Sequence, residues 1–82
     1  MNFIVLGCGR VGAELSFRLF KNGHQVVVVD SDQKSFNRIH PDFRGRTVEG
    51  EALAADTFER AGMDKADGIA VGGLGANRVG AF

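Results

Sequence analysis

The chain predicts an α/β fold, a parallel sheet with helices on its faces, and three observations carry that prediction. Short apolar runs of strand length alternate with segments of helical period, as in "FIVL" followed by residues 10–21 and then "VVVV". Strands alternating with helices through short connections imply right-handed β-α-β crossovers and a parallel sheet. Three glycines, Gly7, Gly9 and Gly12, fall between the first run and the first helix.

Residues 2–6 read as a strand covered on both faces, because the run is continuous rather than alternating. From Arg10 to Lys21 the apolar residues Val11, Leu15, Leu19 and Phe20 recur at helical spacing, and Asn22-Gly23 supplies the stop. Four valines at 26–29, closed by Asp30, form a second buried strand, since a β-branched run disfavours helix. Ser31 or Asp32 can cap a short helix over about 33–39, with Phe36 and Ile39 turned inward, before Pro41 marks a loop. A third strand is expected at about 46–49, a helix over about 53–61 stopped at Gly62, and a fourth strand at 68–71. The order is that of a Rossmann-like sheet, the first half of a doubly wound fold. Residues 1–71 are read as one nucleotide-binding domain, with the fourth strand as an open edge. The glycine-rich stretch "GGLGANRVGAF", 72–82, has no period and stays unassigned, so the chain reads as truncated relative to its fold.

Size and charge narrow the function. Eighty-two residues make one small domain with one compact core. Ten basic and ten acidic residues cancel, so no overall basic field gathers nucleic acid or anionic lipid, and anion binding has to be local. The single cysteine cannot form an internal disulfide, and His24, His40 and Cys8 do not make a four-ligand metal site, which points to a reducing cytoplasm. No apolar run approaches the roughly 20 residues that span a bilayer, and no signal-peptide pattern precedes the first strand. The seven phenylalanines are accounted for as core.

The glycine turn has a physical reading in this context. Gly7 permits the tight turn, Gly9 lets a pyrophosphate approach the backbone, and Gly12 lets the helix pack close to the strand, while free amides at the helix start favour an anion. Asp30 ends the second strand 18 residues beyond Gly12, near the ~20 expected of a carboxylate that accepts ribose hydroxyls. Alternatively it caps the following turn. Its charge opposes a 2′-phosphate, so NAD or an adenine nucleotide is preferred over NADP; Lys34 and Arg38 either soften that repulsion or are solvated helix residues. Arg10 is either a fork for phosphate or an exposed first-turn side chain. Cys8 is either a thiolate favoured by the helix N-terminus or a small residue in a tight turn. Neither histidine has a partner that spacing identifies, and no catalytic constellation emerges.

With "IVLGCGRVGAEL", "VVVVDSDQKSFNRI", "TVEGEA" and "FERAGMDKADGIAV" in that order, the chain resembles the nucleotide-binding domain that regulates potassium conductance, the TrkA N-terminal or RCK family, from Asn2 to Val71. The most specific part is "VEGEA" followed by a helix and "AGMDKADGIAV". The resemblance implies that the turn of Gly7, Cys8, Gly9, Arg10, Val11 and Gly12 holds phosphate, that Asp30, Ser31 and Asp32 address ribose, and that Gly50, Glu51 and Ala52 lie beside adenine. Glu51 stands where the family usually has aspartate. The ligand implied is NAD(H) or an adenine nucleotide, ATP, ADP or AMP. The role implied is a non-enzymatic regulatory domain controlling a potassium transporter or channel. Such a domain is cytoplasmic, held at the inner face of the membrane through its transport partner, and homo-oligomeric when full length. Beyond Val71 the family continues through a loop, a helix and two further strands, a course that 72–82 does not follow. The alternative function is the N-terminal piece of an NAD-dependent oxidoreductase, in which the glycine turn and Asp30 would look the same. A folded fragment that binds nothing is the third.

Overall fold

The computed structural model describes residues 1–52 and 54–71, so the expectations for residue 53 and for 72–82 lie outside the described residues. Four strands, β1 (Asn2–Leu6), β2 (Gln25–Asp30), β3 (Arg46–Glu49) and β4 (Gly68–Val71), form one parallel sheet in the order β3-β2-β1-β4. Helix α1 (Arg10–Lys21) connects β1 to β2, and α2 (Ala55–Ala61) lies between β3 and β4. All four strands and α1 match their predicted spans.

The valine run explains why β2 sits inside. Val26 and Val28 face one layer with Val5, Cys8 and Ala13, joined by Leu19 and Phe20 of α1. Val29 faces the other with Ile4, Val48, Ala61 and Met63. β1 and β2 therefore each contribute to both cores with a period of two, and burying one such valine stabilises by roughly 1.5–3 kcal/mol. After β1 the chain steps outward through β2 to β3, then crosses back to β4 on the far side of β1. That reversal places the switch point at the C-terminal ends of β1 and β4, beside the glycine turn.

Two local features differ from the sequence reading and two refine it. The short helix after β2 is a 3-10 helix, Gln33–Arg38. Its bonds run Ser35 N–H to Asp32 O and Ile39 N–H to Phe36 O, and the following His40-Pro41 step disfavours continued helix. Of the two caps expected, Ser31 or Asp32, the structure has Asp32, whose carboxylate accepts from Lys34 N–H at 3.0 Å. Helix α2 starts at Ala55, after a turn in which Ala54 N–H donates to Glu51 O, and a 3-10 turn, Met63–Lys65, follows its end at Gly62. Val11 is 47% exposed rather than packed inward. The buried face of α1 is Gly12, Ala13 and Ser16, because close approach of the helix to the turn leaves room only for small residues.

Candidate functional site

The glycine turn follows directly from β1. Gly7 takes φ 97°, in the left-handed region where a side chain is strained, while its N–H donates to Val29 O at 2.6 Å. Gly9 caps α1 in an extended conformation and brings no side-chain acceptor to the first turn. The first intrahelical bond runs from Ala13 N–H to Gly9 O, leaving the amides of Arg10, Val11 and Gly12 at the open end of the helix. A Cβ at Gly12 would collide with the carbonyl oxygen of Gly7, so only glycine lets α1 start this close to the turn.

Asp30 is built into that turn. Its Oδ2 accepts from Cys8 N–H at 2.7 Å and its Oδ1 from Asp32 N–H at 2.8 Å. One half-buried carboxylate thus joins the glycine turn to the loop after β2, and each oxygen retains lone-pair capacity for another donor. Asp30 O in turn accepts from Gly50 N–H at 2.9 Å, which brings the turn of Gly50, Glu51 and Ala52 to the same C-terminal edge. Ser31 and Glu51 are exposed there and Ala52 is half-buried.

The cysteine has one reading left. Cys8 is fully buried, and burial, with the Asp30 carboxylate adding to it and the Arg38 guanidinium partly offsetting, pushes its thiol up to about 11. A neutral thiol here overturns the thiolate alternative, since desolvation outweighs the helix N-terminus. Cys8 acts as a small core residue, and its N–H is taken by Asp30.

Arg10 is exposed and borders a groove of about 590 Å³ between α1 and residues 37–41, with Arg38 and His40 on its other wall. Neither arginine forms an ion pair among the described residues. His40 stacks on Phe17 at 4.0 Å between ring centroids, and His24 sits edge-on to Phe3, so both histidines have packing roles. A second cavity, about 400 Å³, opens at the opposite end of the strands between Phe3, Phe20 and Arg46. It holds neither the open helix amides nor the carboxylate, so the glycine edge remains the candidate site.

Residues 3–73 match the TrkA-N domain. The chain belongs to the TrkA-N domain family. Among curated relatives, a Trk system potassium uptake protein TrkA from Streptomyces coelicolor is 40% identical over 77 residues, 94% of this chain and 34% of that protein. One from Halomonas elongata is 33% identical over 67 residues, 82% of this chain and 15% of that protein. This TrkA-N chain therefore spans about a third or less of the relatives it matches. Among solved structures, the Shewanella denitrificans Kef CTD in AMP bound form superposes with a TM-score of 0.74 at 21% identity, covering 94% of this chain and 45% of that one. An N5-carboxyaminoimidazole synthetase from Staphylococcus aureus complexed with ADP gives 0.63 at 19% identity, covering 85% and 18%. At those identities the likeness establishes the Rossmann-like fold of the TrkA-N domain.

Two side chains escaped the sequence reading. Thr57, buried, and Arg60, half-exposed, both pack against Gly50 from α2. The signal available for Arg60 was its spacing of four from Asp56, which pairs with it at 3.0 Å.

Proposed function

We propose that this chain binds an adenine nucleotide, NAD(H), ATP, ADP or AMP, and serves as a regulatory domain of a potassium transport system. It acts on the cytoplasmic side of a membrane transport partner, within a homo-oligomer. The observation that carries the reading is the Asp30 carboxylate, anchored on Cys8 N–H and Asp32 N–H beside the open amides of α1. Phosphate sits at Gly9, Arg10 and Val11, with the Arg10 guanidinium as a mobile fork, and the ribose hydroxyls donate to Asp30. Gly7 and Gly12 shape the turn, Cys8 packs beneath it, and Ser31 and Asp32 flank the sugar. Gly50, Glu51 and Ala52 border the base. Relatives named for potassium uptake, and a fold neighbour described as AMP-bound, support the same assignment.

Regulation requires the nucleotide to contact two states of the assembly differently, so the domain works by binding energy rather than by bond chemistry. Calorimetric titration with NADH, NAD, ATP, ADP and AMP tests the reading. At least one should bind saturably, and Arg10→Ala should weaken it several-fold without loss of folding, since Arg10 is exposed and unpaired among the described residues. No saturable binding by any of the five removes the proposal.

A further inference from the structure

Under that reading, phosphate lies at the end of β1 and sugar at the end of β2. Strands are about 4.8 Å apart, so the base is carried on to the end of β3 and meets Gly50, Glu51 and Ala52. We infer that Arg60, on α2 and outside the site itself, is a positioning residue that sets the shape of this base-side turn.

The Glu49–Gly50 peptide is pinned at both poles. Its N–H donates to Asp30 O at 2.9 Å, and its carbonyl accepts from Arg60 Nη2 at 2.9 Å. The guanidinium is itself held, since Arg60 Nε donates to Asp56 Oδ2 at 3.0 Å, one helical turn earlier. Gly50 completes the fit. A Cβ there would stand 2.7 Å from Arg60 Nη2 and would collide with Thr57 Oγ1, so the turn can lie against the guanidinium only as glycine.

The same residue reaches the other end of β3, where Arg46 Nη2 donates to Arg60 O at 3.0 Å. Among the described residues β3 is an edge strand, paired only with β2, and its exit would otherwise be fixed on one side alone. With Arg60 half-exposed and Asp56 largely exposed, their ion pair contributes little to global stability. What Arg60 determines is the orientation of one peptide plane, and with it the path of the three residues that follow.

The test compares AMP with ribose 5-phosphate, which carries the same phosphate and sugar but no base, by NMR titration of the intact chain. Arg60→Ala should raise the AMP Kd about threefold to tenfold, the range of a single net hydrogen bond, and leave ribose 5-phosphate unchanged. Arg60→Lys should restore part of the loss, and Asp56→Ala, which frees the guanidinium without touching β3, should move AMP in the same direction by less. Far-UV circular dichroism checks folding, and if Arg60→Ala does not fold, the lysine and Asp56 variants decide. Unchanged AMP binding, or an equal loss for AMP and ribose 5-phosphate, overturns the inference. Failure of the unsubstituted chain to bind any adenine nucleotide instead removes the functional reading on which it rests.

Discussion

Asp30→Asn keeps the shape of the side chain and removes one acceptor, which makes it the sharpest probe of how the glycine turn is held. In the native chain the two oxygens accept separately, from Cys8 N–H at 2.7 Å and Asp32 N–H at 2.8 Å. An asparagine can satisfy one of these donors with its carbonyl. Its amide group then faces the other, donor against donor. The loss is one charge-assisted bond, about 1.5–3 kcal/mol, and a half-buried residue belongs near the lower part of that range, about 2 kcal/mol. For a domain of this length each kcal/mol lowers Tm by about 4–8 °C, so the variant should melt roughly 8–16 °C below the parent. The chain has no tryptophan or tyrosine, so far-UV circular dichroism with heat or urea is the appropriate assay. Asp42→Asn is the control, because among the described residues the Asp42 side chain makes only an exposed 3.9 Å pair with His40, and the variant should fall within about 0.5 kcal/mol of the parent. The experiment is run without ligand. If Asp30→Asn then matches the control, the carboxylate does not tie the turn, and its place at the site has another cause.

Gly12→Ala should destabilise by about 2 kcal/mol, since a clash with the backbone carbonyl of Gly7 belongs at the top of the roughly 1–3 kcal/mol range for overpacking and a better helix former returns at most about 1. Thermal melting reads this directly, and a variant as stable as the parent would mean that α1 can slide away from the turn freely. With its thiol pushed up to about 11, Cys8 is ionised in about one molecule per thousand at pH 8. Iodoacetamide should therefore label native protein roughly two orders of magnitude more slowly than urea-unfolded protein by mass spectrometry, and equal rates would show that the thiol is not buried.

The strands and α1 were legible because their signals are local. "FIVL" and "VVVV" can hardly be anything but buried strands once glycines and short connections bound them, and Asn22-Gly23 stops α1 where it was expected. The phase of α1 was less legible. Periodicity put Val11 on the inner face, yet the contact of Gly12 with Gly7 rotates the helix so that small residues face the sheet, a constraint set by tertiary approach rather than by pattern. The Gln33–Arg38 segment reads as helical in kind, but its six residues, followed by Ile39 and the His40-Pro41 step, settle into 3-10 geometry. At the site, the spacing of Asp30 from the glycines placed it at the turn. That its oxygens would be engaged by Cys8 and Asp32 amides depends on the register Leu6 to Val29, which single residues do not announce. The reach of Arg60 to the Glu49 carbonyl is likewise a contact between two elements that only folding brings together.

The carboxylate bridge also bears on how fast and how tightly this edge can be occupied. Since the turn and the neighbouring loop are fastened to one another by the chain's own Asp30 carboxylate, an incoming anion meets two backbone segments that are already held together. Little of its binding energy is then consumed in restricting backbone motion, and occupancy can follow changes in concentration without waiting for a slow rearrangement of the seat itself.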